Sequence, residues 1–253
     1  MTRFSANLGF MWTELPLPKA IEAAAQYGFD AVECHFPYQT PVAEVTDALK
    51  RTGLKMLGLN TIKGGEPGDN GLCALPDRVS EARASIDQAI DYAIAIETPN
   101  IHVMAGNTAG DAAGKTFADN LRYATDIAQN HGITILIEPL NPYDAPGYYL
   151  NSTALASRII ESVNADNLKL MFDCYHIQII EGDVSRKFKA LQPLIGHVQI
   201  ASIPDRKEPD SGELDYRYVL KVIEQLGYTA PIGAEYKPSG KTEISLDWMN
   251  ALR

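Results

Sequence analysis

The sequence predicts a closed (β/α)8 TIM barrel, and three observations carry that prediction. One unit recurs along the chain: a run of helical periodicity, a glycine, then a short β-rich run. It reads AIEAAAQYGFDAVECHF, VTDALKRTGLKMLGLN, DIAQNHGITILIEPL and VIEQLGYTAPIGAEY. Gly28, Gly53, Gly132 and Gly227 fall where a helix C-terminus turns left-handed. Second, about eight strand-like runs alternate with helical ones, the pattern of βαβ units around a parallel sheet. Third, all of this fits into 253 residues without a linker, a low-complexity segment or a composition shift. Residues 1–253 therefore read as one domain of the usual barrel size.

Taken in order, strands are expected at 4–10, 30–36, 54–60, 100–105, 133–138, 168–173, 195–200 and 231–236. Helices are expected near 17–27, 42–52, 79–96, 113–130, 152–163, 184–192, 214–226 and 243–252. No GxGxxG opens the chain, which disfavours an open dinucleotide-binding sheet. Barrel strands alternate between the interior and the helix layer. On ITILIE, Ile133, Ile135 and Ile137 face the helices and Thr134, Leu136 and Glu138 face inward. On LKLMFD, Leu168, Leu170 and Phe172 face out and Asp173 in. On GHVQI, Val198 and Ile200 face out and His197 and Gln199 in. On PIGAEY, Ile232 and Ala234 face out and Gly233 and Glu235 in.

Twenty-two Lys+Arg against 32 Asp+Glu leave a net charge of −10, which excludes the broad basic surface that nucleic acid or an anionic membrane needs. An anionic substrate must then be held by a few placed cations. Apolar residues at 45% and charged residues at 21% are ordinary for a soluble globular chain. MTRFSANLGFMW lacks the apolar run of a signal peptide, and no 18-residue apolar stretch is present for a membrane span. Cys34, Cys73 and Cys174 are too few and too scattered for a disulfide framework and read as structural thiols. A cytoplasmic protein is expected. A homo-oligomer is compatible with it, since barrels pair through helix faces.

Barrel enzymes carry their chemistry at the C-terminal ends of the strands. Four successive strands here end in an inward oxygen ligand: Glu138, Asp173, Gln199 and Glu235, spaced by 35, 26 and 36 residues. Three converging carboxylates repel unless a cation neutralises them or their pKa values rise. An all-oxygen set suits a hard divalent ion, Mg2+ or Mn2+.

The runs HVMAG (102–106), IEPLN (137–141), FDCYH (172–176), HVQIASIPDRKEPDSGE (197–213) and IGAEYKP (232–238) resemble the hydroxypyruvate isomerase family of xylose-isomerase-like barrels. The resemblance extends from residue 6 to the C-terminus. It implies two strand-end glutamates, Glu138 and Glu235, as acid–base residues that also hold a divalent metal with Asp173 and Gln199. The related ketose 3-epimerases carry His where Gln199 stands, so the resemblance leans toward the isomerase branch, which also contains 2-oxo-tetronate isomerases. It implies interconversion of hydroxypyruvate and tartronate semialdehyde, or of a related small anionic oxo acid, through an enediolate. A ketose 3-epimerase is the nearest rival. A phosphodiesterase resembling apurinic endonucleases fits five scattered histidines poorly, and a non-catalytic barrel fits poorly with both glutamates kept.

Other residues carry further expectations. His176, expected in the loop after Asp173, is a candidate substrate contact. Arg206 and Lys237 are candidate cations for the substrate carboxylate, Arg206 alternatively pairing with Asp205, Glu208 or Asp210. His197 reads as a partner behind Gln199 or a core histidine, and His102 as core. Glu33 and His35 line the mouth or form a buried polar network. The Gly-rich stretch 60–72 reads as a lid over the mouth or a plain loop.

Overall fold

Each strand of this chain is short and mostly buried, and the parallel ladder that they form runs round on itself. The computed structural model describes residues 2–253. Its strands are β1 (Phe4–Asn7), β2 (Ala31–Glu33), β3 (Leu59–Asn60), β4 (Asn100–His102), β5 (Thr134–Ile137), β6 (Leu168–Asp173), β7 (Ile195–Ile200) and β8 (Ile232–Ala234). All pairings are parallel, in the order β2-β1-β8-β7-β6-β5-β4-β3. A bridge from Val32 to Met56, just ahead of β3, joins the two ends of that ladder. The barrel expected from the sequence is therefore present.

The helices are α1 (Leu17–Gln26), α2 (Val42–Thr52), α3 (Val79–Ala95), α4 (Asp111–Ala128), α5 (Thr153–Val163), α6 (Cys174–Ile180), α7 (Val184–Leu191), α8 (Tyr216–Gln225) and α9 (Trp248–Leu252). Their apolar faces pack on the outward residues of the strands. Phe172 stacks edge-on against Phe188 of α7 at 5.3 Å, and Phe4 against Trp248 of α9 at 4.9 Å. Gly53 and Gly132 end helical segments at φ 72° and 67°, a conformation that costs a side-chain-bearing residue about 1 kcal/mol or more. No helix among the described residues is long and apolar enough to cross a membrane.

Two expectations need correction. The third strand covers only Leu59–Asn60, with a single bridge at Met56, because 54–58 takes over closure of the ladder through irregular bonds such as Leu57 N–H to Val32 O at 2.8 Å. Residues 174–180, expected as loop, form α6. Tyr, His, Cys and Ile are mediocre helix formers, but Asp173 caps the turn by accepting the Tyr175 amide at 2.8 Å.

Candidate active site

The inward positions form two levels. At the lower level Glu33 of β2 is the hub, accepting from Ser5 of β1 and from Gln199 Nε2 of β7 at 2.8 Å, with His197 Nε2 3.0 Å away. Gly233 of β8 leaves room for this cluster, since a Cβ there would lie 2.5 Å from Glu33 Oε1 and 2.7 Å from Gln199 Cγ. The network alternative for Glu33 and the partner alternative for His197 are the ones realised. Burial opposes a charge on His197, but the Glu33 carboxylate outweighs it and raises the His197 pKa.

The upper level opens into a cavity of about 140 Å3, lined by Glu138, His176, Arg206 and Glu235 together with His35, Asn60, Lys63 and His102. Glu138 and Glu235 immediately follow β5 and β8 and are both buried. Their surroundings differ. Glu235 Oε1 accepts from Asn7 Nδ2 at 2.9 Å and lies 2.8 Å from His35 Nε2, while Oε2 accepts from the Arg206 guanidinium at 2.6 Å. Burial alone would raise its pKa; the Arg206 charge and the His35 hydrogen bond reverse this and hold Glu235 well below the usual carboxylate range. Glu138 has no such cation. His102 Nδ1 stands 3.5 Å from one oxygen and His176 Nε2 3.9 Å from the other. Burial, then the charges of Glu235 and Asp173, pushes its pKa well above the ordinary value.

Asp173 divides its carboxylate. Oδ1 caps α6, while the buried Oδ2 makes no hydrogen bond. Burial and the nearby Glu235 raise its pKa to about 7. Gln199 pairs with Asp173 across β6 and β7, donates its amide to Glu33 and leaves its own oxygen buried and unpartnered. Glu138 Oε1 is likewise unpartnered. Buried oxygens without donors are costly; three of them on adjacent strands fit a hard cation. Glu138, Asp173 and His176 also bring ligand-type atoms within 4.8 Å of one another. His176, however, accepts the Asn141 backbone N–H at Nδ1, 3.0 Å, so the neutral ring carries its proton on Nε2 and offers a donor to the cavity. Burial, then the charge of Arg206, lowers its pKa to about 3 and keeps it neutral.

Arg206 reaches back into the mouth rather than pairing with Asp205, Glu208 or Asp210. It contacts Glu235, Asp144 at 3.2 Å and Asp173 at 3.8 Å, and lies between the rings of Phe10 and Tyr175 at 4.8 and 4.9 Å. Its backbone is left-handed, φ 54°, and is held there by bonds from its own N–H to Ser202 O and from Lys237 N–H to its carbonyl. Lys237 does not line the cavity; its exposed ammonium lies 5.9 Å from the Phe10 ring, on the rim. Asn7, Lys63, His102 and Asp144 complete the site without having been singled out for it. Asn7 had a signal in the alternation of FSAN, where apolar Phe4 and Ala6 share one parity and polar Ser5 and Asn7 the other. Asp144 and Lys63 sit in irregular loops where no period applies.

A parallel barrel whose C-terminal mouth gathers two buried glutamates, an aspartate, a neutral histidine and a partly buried arginine is the scaffold of a barrel enzyme moving protons on a small substrate. The family described as xylose isomerase-like TIM barrel matches residues 21–252, and the chain belongs to it. It is 44% identical over 254 residues to the 2-oxo-tetronate isomerase of Cupriavidus necator, covering 98% of each chain. It is 38% identical to the hydroxypyruvate isomerase of Escherichia coli over 100% of both. Among solved structures, one described as AP endonuclease, family 2, from Brucella melitensis superposes with TM-score 0.96 at 40% identity, covering 100% of both chains.

Proposed function

We propose that this protein is an isomerase of small hydroxy-oxo acids, acting on a 2-oxo-tetronate or on hydroxypyruvate by proton transfer through an enediolate. The observation that carries this reading is the pair Glu138 and Glu235 facing one cavity of about 140 Å3, well under the roughly 300 Å3 at which drug-sized sites begin. Full-length relatives named as isomerases of three- and four-carbon oxo acids support the same class, and the higher identity to a 2-oxo-tetronate isomerase favours four carbons. A ketose 3-epimerase has no comparable support, since solved epimerases such as the D-psicose 3-epimerase of Clostridium cellulolyticum, 15% identical, share only the fold.

In both acids C2 is a carbonyl and C3 carries a hydroxyl. One glutamate removes the C3 proton, the electrons move to give the enediolate, and the other glutamate returns a proton to C2 while the hydroxyl proton passes between the two oxygens. The roles exchange in the reverse direction. The His176 Nε2–H supplies a donor to the substrate oxygens where negative charge develops, and the Arg206 guanidinium at the same mouth holds Glu235 ionised and adds positive charge beside them. Glu138, Asp173 and Gln199 would hold a divalent ion, Mg2+ or Mn2+, through their unpartnered oxygens, with Glu235 joining only if Arg206 gives way. When bound, such an ion supplies positive charge to adjacent carbonyl and hydroxyl oxygens.

Incubation with hydroxypyruvate, a 2-oxo-tetronate and a neutral ketose in heavy water with Mn2+ or Mg2+, followed by NMR, tests the reading. Deuterium entering an acid with formation of its isomer is expected. Exchange into the ketose alone removes the acid reading in favour of an epimerase.

A further inference from the structure

Arg206 is the more enclosed cation of the cavity, yet its charge is already committed to Glu235, Asp144 and Asp173. The remaining Lys or Arg on the cavity wall is Lys63, in the loop that follows β3. Among the described residues no carboxylate lies within ion-pair distance of its ammonium, which stands 5.9 Å from the Phe36 ring, another wall residue. In the ring of eight strands, β3 and β7 are four steps apart in either direction. The loops that carry Lys63 and Arg206 therefore leave the barrel at opposite points of its rim, and both residues line the one cavity.

The backbone that carries Lys63 is tied in place. Gly71 N–H donates to the Lys63 carbonyl at 2.7 Å, closing the loop at its neck. Asp69 in the loop pairs with Arg78 at 2.8 Å, and Asn107 donates to the Gly68 carbonyl at 3.2 Å. Gly71, at φ 105°, lies so close to Met104 that a Cβ would come within 2.6 Å of its backbone. A side chain on such a pinned loop gives up less freedom on binding a ligand than one on a free loop.

We propose that Lys63 binds the carboxylate of the substrate, so that the acid lies across the mouth with its carboxylate toward the β3 side and its hydroxy-oxo carbons between Glu138 and Glu235. An uncompensated ammonium is the group that an incoming carboxylate meets without displacing a protein acid, whereas reaching Arg206 means competing with three. Lys63 is thereby a specificity residue, admitting acids over neutral sugars of the same length. The proposal rests on the oxo-acid reading above.

The test separates the two. D-Glycerate, a hydroxy acid with no carbonyl to isomerise, and glycerol, its neutral counterpart, are titrated calorimetrically into the full-length protein loaded with Mn2+, in wild type, Lys63→Gln and Lys63→Arg. Removing one charge-assisted contact is expected to weaken glycerate about tenfold in Lys63→Gln. Lys63→Arg should restore most of the loss, glycerol should be indifferent, and the difference should shrink as salt is raised, since Lys63 is exposed. With the oxo acid as substrate, the loss should fall in KM rather than kcat. Unchanged glycerate affinity in Lys63→Gln of an enzyme that isomerises oxo acids overturns the anchor and leaves the isomerase standing. Weakened glycerate binding in a protein that isomerises no oxo acid sustains the anchor and removes the isomerase.

Discussion

Glu138 and Glu235 are the same residue type, at equivalent positions past the ends of two strands of one barrel, and they live in opposite electrostatic worlds. The β8 side of the mouth is neutralised from within: Arg206, His35 and Asn7 engage Glu235, which stays ionised. The β5–β7 side is not. There Glu138, Asp173 and Gln199 leave three buried oxygens without donors, and the two carboxyls hold protons more tightly than usual. The difference teaches that the demand for a cation is local. It is met by a guanidinium on one side and falls to a proton or a divalent ion on the other.

The strongest way to break the comparison is to remove either carboxylate. Glu138→Gln and Glu235→Gln are each expected to lower kcat on the best oxo acid by at least about 10²-fold, the scale of general acid–base catalysis, with the circular dichroism spectrum unchanged. Near-normal turnover in either variant would show that the two glutamates are not a working pair.

Next in size is the neutralised side. Arg206→Met leaves Glu235 buried beside uncompensated acids, and losing one partner of a buried ion pair costs about 3–5 kcal/mol, a drop of roughly 10 °C in Tm. The double variant Arg206→Met/Glu235→Gln should recover part of it, because the orphaned charge is gone. Additive losses in a thermal melt would mean that the two side chains are not coupled.

A smaller effect addresses the other side through pH. The pKa values of Asp173 and Glu138 are raised on folding, so the folded state binds more protons than the unfolded one below about pH 7, and stability falls as pH rises through the folded values. His102, lowered to about 4 by burial, and His176 act in the opposite sense, but their contribution fades out by about pH 7.5, one unit above their unfolded value. Between pH 6.5 and 8.5 the metal-free protein should therefore lose Tm. Added Mn2+ should raise Tm more at pH 8.5, where it displaces fewer protons. An equal Mn2+ effect at both pH values would remove the metal from Glu138 and Asp173.

The smallest change sharpens the floor beneath both sides. Gly233→Ala puts a methyl group against Glu33 and Gln199, which are pinned by Ser5 and by each other. About 1–3 kcal/mol of destabilisation, the cost of overpacking, is expected in chemical denaturation, with a several-fold loss of activity as Gln199 shifts. A variant as stable and active as the parent would show that the floor does not hold Gln199 in place.

What the sequence by itself determined is everything that repeats. The glycine-ended helices, the alternation of apolar and polar residues along each strand and the spacing of Glu138, Asp173, Gln199 and Glu235 are local patterns. The period of a strand makes parity legible from neighbours in the chain. A cap that depends on one aspartate was harder to read, which is why α6 was expected as loop. Tertiary structure alone decided the charge states and the partners. Arg206 meets Glu235 across 29 residues and Asp144 across 62, Asn7 meets Glu235 across 228, and Lys63 comes to line one cavity with Arg206 because the ladder closes. A pKa follows from burial and from charges a few ångströms away, and those distances exist only once the barrel has brought its ends together.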